Sequence, residues 1–106
     1  MIARRSFRLR FDPTAALTHT TLIQMIREYL QLRSWFVCVT PRGGIEGLAG
    51  FPDVIAFKSA RCLLVEAKVG ADKMDYYQLR MKASLERAGF TVIEARSLDD
   101  VIEAGV

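Results

Sequence analysis

The chain has 106 residues, 51% of them hydrophobic, with a formal charge of +3 and a pI near 9.1. That length supports one domain around one core, residues 1–106. No apolar run reaches the roughly 18 residues a membrane span needs, which argues against a membrane protein, and the mildly basic balance is compatible with nucleic acid without being diagnostic of it.

Residues 1–13 form a basic arm with Arg4, Arg5, Arg8 and Arg10. It lacks the apolar segment of a secretory signal. Phe7, Leu9 and Phe11 alternate with polar residues, so Ser6–Phe11 reads as a short edge strand. The arm either lies along a phosphate backbone, with Arg4 and Arg5 as contacts, or is a solvated tail or a strand exchanged between two copies. Asp12-Pro13-Thr14 is a turn.

Leu22, Ile26 and Leu30 recur at helical spacing, with Ile23 alongside, and predict an amphipathic helix over 18–32. Thr18, Thr20 or Thr21 serves as its N-cap. His19 has no histidine or cysteine partner at zinc spacing and reads as a capping or surface residue. Glu28 either pairs with a nearby arginine on the surface or reaches toward acids at the sheet end. Trp35–Thr40 is the first strand, stopped by Pro41-Arg42-Gly43-Gly44. The loop that follows contains Gly47 and Gly50. Such a loop lets backbone approach a phosphate, with Arg42 as a contact, or else it is a plain connector whose arginine is solvated.

Two apolar runs, Val54–Phe57 and Cys62–Val65, flank Lys58-Ser59-Ala60-Arg61 and read as a hairpin. With Ser59-Ala60 as a two-residue loop, Phe57 pairs with Cys62, Ile55 with Leu64, and Asp53 falls opposite Glu66. Asp53, Ile55, Phe57, Cys62, Leu64, Glu66 and Lys68 share one face; Val54, Ala56, Leu63, Val65 and Ala67 share the other. Both faces are mostly apolar, so the hairpin is expected centrally in a covered sheet. Two carboxylates about 5 Å apart repel by roughly 3 kcal/mol at an effective dielectric of about 20. A divalent cation offsets that, as would a proton or an arginine, and a different register would remove the problem. Cys38 and Cys62 lack metal-type spacing and read as reduced core residues, which favours an intracellular, cytoplasmic protein.

Val69–Met74 is a polar break. A second helix is predicted over 75–88, with Asp75 as N-cap, Tyr77, Met81, Leu85 and Ala88 as its buried stripe, and Gly89 just past its end. Gln78 lies in its first turn, while Lys73, Arg80, Lys82 and Arg87 decorate the surface. Phe90–Ala95 is a fourth strand, and Ser97 caps a last short helix with Leu98, Val101 and Ile102 inward. The order helix, three strands, helix, strand, helix predicts an α/β fold: a mixed central sheet flanked by helices, with the fourth strand parallel to the third.

Pro52-Asp53, Glu66-Ala67-Lys68 and Gln78, in that element order, resemble the PD-(D/E)xK nuclease superfamily. Within it, the Gly-Phe-Pro-Asp spacing, the Glu-Ala-Lys strand end and the downstream glutamine are similar to the virus-type replication-repair nuclease (VRR-NUC) domain, from about Thr20 to Glu94. The resemblance implies a restriction-endonuclease-like αβββαβ core and a DNA endonuclease that hydrolyses phosphodiester bonds with Mg²⁺ or Mn²⁺. It implies Asp53 and Glu66 as metal ligands, the Ala67 carbonyl as a further oxygen, Lys68 as the residue that orients or activates water, and Gln78 as its positioner. It also implies a first-helix acid. Thr21 stands where that acid is expected, with Gln24 a turn later and Glu28 beyond, so either Glu28 fills the role or the acid is missing. Lys73 and Arg42 would touch the DNA backbone. By analogy the substrate would be branched or junction DNA in replication, repair or recombination, and the protein a homodimer. The alternative is a nucleic-acid-binding module with an inert site.

Overall fold

Residues 17–105 are described in the computed structural model, so the arm carrying Arg4 and Arg5 and the expected strand Ser6–Phe11 lie outside the described residues. Thr18 starts the first helix: its hydroxyl accepts from the Thr21 N–H at 3.0 Å, which satisfies one of the unpaired donors of the first turn. Helix α1 spans His19–Leu32 and buries Leu22, Ile26, Tyr29 and Leu30 along one stripe. Strand β1 follows at Phe36–Val39, β2 at Val54–Lys58 and β3 at Arg61–Ala67. Helix α2 spans Tyr76–Arg87, β4 Val92–Ala95 and α3 Leu98–Glu103.

The four strands form one mixed sheet in the order β1-β2-β3-β4. The first two pairings are antiparallel and β3 runs parallel to β4. The hairpin therefore lies centrally. Phe57 faces Cys62 and Ile55 faces Leu64, the register its loop length predicts. Ser59 and Ala60 both have positive φ, 50° and 62°, the geometry that a two-residue loop needs to match strand twist.

One face of this sheet is covered. Val54, Ala56, Leu63, Val65 and Ala67 pack with Leu22, Ile26, Leu30, Leu98 and Val101 into a continuous core, so α1 and α3 share that side. Among the described residues, the other face is only partly covered, contrary to expectation. Leu85 of α2 and Phe90 form one wall of an open apolar groove of about 450 Å³ over Ile55, Phe57, Cys62 and Leu64. Beyond it Phe36 is 69% exposed. Cys38, expected in the core, is exposed because it pairs with Ile55 on this open side.

The stripe expected on α2 is also displaced. None of its residues is buried, and Tyr77 faces solvent. The expected Met81 and Leu85 are half-buried, but Gln78 and Lys82 join them in place of Tyr77 and Ala88. Gln78 is bonded to the end of the sheet through both ends of its amide, so the inward face of α2 is centred between Gln78 and the expected Met81 and Leu85, a shift of roughly 50°. Asp75 does cap α2, in a reciprocal box with Gln78. Ser97 precedes α3 but makes no side-chain cap bond; Asp100 instead accepts from the Arg96 N–H. No helix among the described residues is long and apolar enough to cross a membrane.

Candidate active site

The C-terminal end of β3, the residues entering β2, and the first turns of α1 and α2 meet at one end of the sheet. Asp53 sits one residue before β2, behind the buried Pro52. Its carbonyl accepts from the Thr40 N–H at 2.8 Å, and the Thr40 hydroxyl donates to the Pro52 carbonyl. These bonds fix the approach to β2. Asp53 Oδ2 accepts from the Ala67 N–H at 2.9 Å across the hairpin.

Glu66 is the only charged residue in the core among the described residues, 2% exposed. Its Oε2 accepts from Gln78 Nε2 at 2.8 Å and lies 3.6 Å from Lys68 Nζ. Burial pushes its carboxyl up to about 8, the negative charge of Asp53 pushes the same way, and Lys68 opposes both. Lys68 Nζ in turn donates to Gln78 Oε1 at 2.9 Å. That oxygen also accepts from the Asp75 N–H at 3.0 Å. The orientation of the Gln78 amide follows from its neighbours: two donors face its oxygen and a carboxylate faces its NH₂. One glutamine therefore holds the acid and the amine of β3 at fixed separation, and the capping box holds the glutamine.

The structure thus brings Asp53, Glu66, Lys68, Gln78 and the Ala67 backbone together. Glu28 lies nine residues after His19 on the same helix, about 180° round and roughly 13 Å along. Arg42, in the loop after β1, and Lys73, in the loop before α2, are both exposed.

His19, read from sequence as a surface residue, belongs to the site. Its Nε2 stands 3.2 Å from Asp53 Oδ2. The signal was its place in the first turn of the helix whose start meets the sheet end, but no local pattern names its partner 34 positions away. Arg96 was also missed. It donates to the carbonyls of Gly70 and Asp72 and to Glu94, tying down the loop that leads into α2. It also neutralises Glu94, which stands beside Glu66 in the β3–β4 register.

Among the described residues no three histidine, cysteine, aspartate or glutamate side chains gather closely enough to make a complete metal cage. The group that does form is two carboxyls, a backbone N–H, an imidazole, an amide and an amine. Comparison of the chain with protein-family models, with curated proteins and with solved structures finds no match.

Proposed function

We propose that the chain is a divalent-metal-dependent DNA endonuclease with a restriction-endonuclease-like core of the VRR-NUC type. The observation that carries this reading is the convergence of Asp53, Glu66 and Lys68 on one sheet end, with Gln78 bonded to both Glu66 and Lys68. Structural ion pairs alone would not need a nearly fully buried Glu66 beside a second carboxyl, an arrangement that burial and repulsion both penalise.

The residues fit a hard cation. Mg²⁺ and Mn²⁺ take carboxylate and carbonyl oxygens, often only one or two carboxylates plus substrate phosphate and water. Asp53, Glu66 and the Ala67 carbonyl would hold it. A carboxyl raised to about 8 beside another acid is one that a cation would restore to its charged form. When bound, the metal supplies polarisation of the phosphate and a more acidic water. Lys68, kept in place by Gln78, orients that water and offsets charge that builds on the phosphate oxygens. Gln78 acts through Lys68 and Glu66 as a positioning residue. His19 steadies Asp53 from the first turn of α1, two residues before Thr21, where the family pattern has an acid.

Branched or junction DNA as substrate and a homodimer as the working form belong to this proposal. The exposed basic Arg42 and Lys73, on the loops after β1 and before α2, support the first, and the exposed Phe36 and Phe57 support the second. The test is cleavage of labelled linear, flap and four-way DNA with Mg²⁺ or Mn²⁺, by wild type, Asp53→Asn and Lys68→Ala. Wild-type cutting that is lost in both variants is expected. Cutting that survives both removes the site assignment, and binding without cutting under any metal makes the chain a binding module with an inert site.

A further inference from the structure

Beside Gln78, on the outer side of the same helix turn, lies a second concavity. Tyr76, Tyr77 and Arg80 form one wall and Gly47 and Ala49 of the preceding loop the other, enclosing about 240 Å³. The loop is seated firmly. Gly50 has φ +81°, and a Cβ there would meet the Tyr77 carbonyl oxygen at 2.3 Å, so only glycine allows this close approach. The wall residues Gly47 and Ala49 are the smallest available, which leaves the space open.

Tyr76 and Tyr77 are 62% and 59% exposed, although aromatic rings are the side chains with most to gain from burial. Their rings stand edge to face, centroids 5.4 Å apart at 78°. Tyr76 is held in that pose: Arg80 donates to its hydroxyl at 2.8 Å and its guanidinium lies 5.6 Å from the ring centroid. The result is a preformed right-angled corner with a cationic edge. A planar ring system fills such a corner by stacking on one tyrosine with its rim against the other. The volume is below the roughly 300–1,000 Å³ of pockets for drug-sized ligands and suits one ring system.

We propose that this corner is a subsite for a single unpaired nucleobase, next to the phosphate that the Asp53–Glu66–Lys68 group would cut. It rests on the nuclease reading and deepens it, because it names what part of the substrate is selected. Duplex DNA keeps its bases stacked inside the helix and cannot offer one here. A strand with an unpaired nucleotide beside the cut, as in a flap or branch, can. Stacking on an aromatic ring is tolerant of base identity, so selection is for an unpaired base rather than for a sequence. Arg80 supplies cation–π contact and a positive charge for the flanking phosphate.

The test uses the full chain as Asp53→Asn, so that strands stay intact, with fluorescence anisotropy on labelled oligothymidylate and on an abasic oligomer of equal length and charge. The base-containing strand is expected to bind at least about fivefold more tightly. Tyr76→Ala and Tyr77→Ala are expected to shrink that ratio toward one, and Tyr77→Phe to keep it. Equal binding of the two strands, or a ratio that survives both alanine variants, overturns the subsite. If wild type still cuts DNA in that event, the nuclease reading stands without it. If wild type neither cuts nor binds any strand, both fall.

Discussion

His19 Nε2 lies 3.2 Å from Asp53 Oδ2, joining the first turn of α1 to the residue that enters β2. The imidazole side chain is about half exposed while the aspartate is largely covered, so this contact adds little to stability and much to the direction of the carboxyl. His19→Ala is therefore expected to lower thermal stability by less than about 1 kcal/mol. It is expected to lower cleavage by about tenfold or more, as loss of a group positioning a ligand does. Paired melting and rate measurements check this, and an unchanged rate would make His19 a bystander.

Glu66 sets a pH dependence. Its carboxyl rises from 4.5 to about 8 in the fold, mainly through burial. The folded state then binds a proton that the unfolded chain releases across this window. The resulting stabilisation is complete below about 4.5 and is lost as pH rises through about 8. Without metal, the melting temperature is expected to fall between pH 5 and pH 8, and Glu66→Gln is expected to flatten that slope. Added Mg²⁺ is expected to raise the melting point most at the alkaline end, where the carboxyl is charged. A slope unaltered by Glu66→Gln would remove the assignment.

Gln78 serves two structures at once, the cap of α2 and the link between Glu66 and Lys68. Asp75→Ala removes the cap bond from Asp75 and should cost about 1 kcal/mol by chemical denaturation with modest loss of activity. Gln78→Ala should cost about 1–3 kcal/mol, because it leaves buried polar groups unpaired. Its activity loss should exceed that of Asp75→Ala by more than stability accounts for. Equal rates in the two variants would show the glutamine to be a cap alone.

Gly50 and Gly43 separate crowding from backbone conformation. Both have φ above +80°, but a Cβ on Gly43 meets nothing within 4 Å, whereas one on Gly50 runs into Tyr77. Gly43→Ala should cost about 1 kcal/mol from the left-handed backbone alone, and Gly50→Ala distinctly more. Denaturation midpoints report the difference, and similar midpoints would show that the loop is free to lift from α2.

The hairpin loop can be improved. Ala60 sits at φ 62° without the freedom that glycine has there. Ala60→Gly is expected to stabilise by up to about 1 kcal/mol, read as a higher denaturation midpoint with no change in the site.

What could be read from the chain by itself was local. The Ser59-Ala60 loop sets the β2–β3 register, because a two-residue loop and period-two alternation leave a single pairing. The same logic lined up Asp53 with Glu66 and placed Lys68 two residues on. Helix α1 and its core stripe followed from spacing, and the β3–α2–β4 crossover made β4 parallel. What only the tertiary structure decided was long-range. The rotation of α2 answers to Gln78's bonds to Glu66 and Lys68, which outweigh an apolar stripe that periodicity alone favours. The exposure of Cys38 and Phe57 depends on how little of the sheet α2 covers. His19 reaches Asp53 across 34 positions, a partner that no local pattern names. Periodicity reports which residues share a face, but the partner of that face is chosen by hydrogen bonds and packing between segments far apart in the chain.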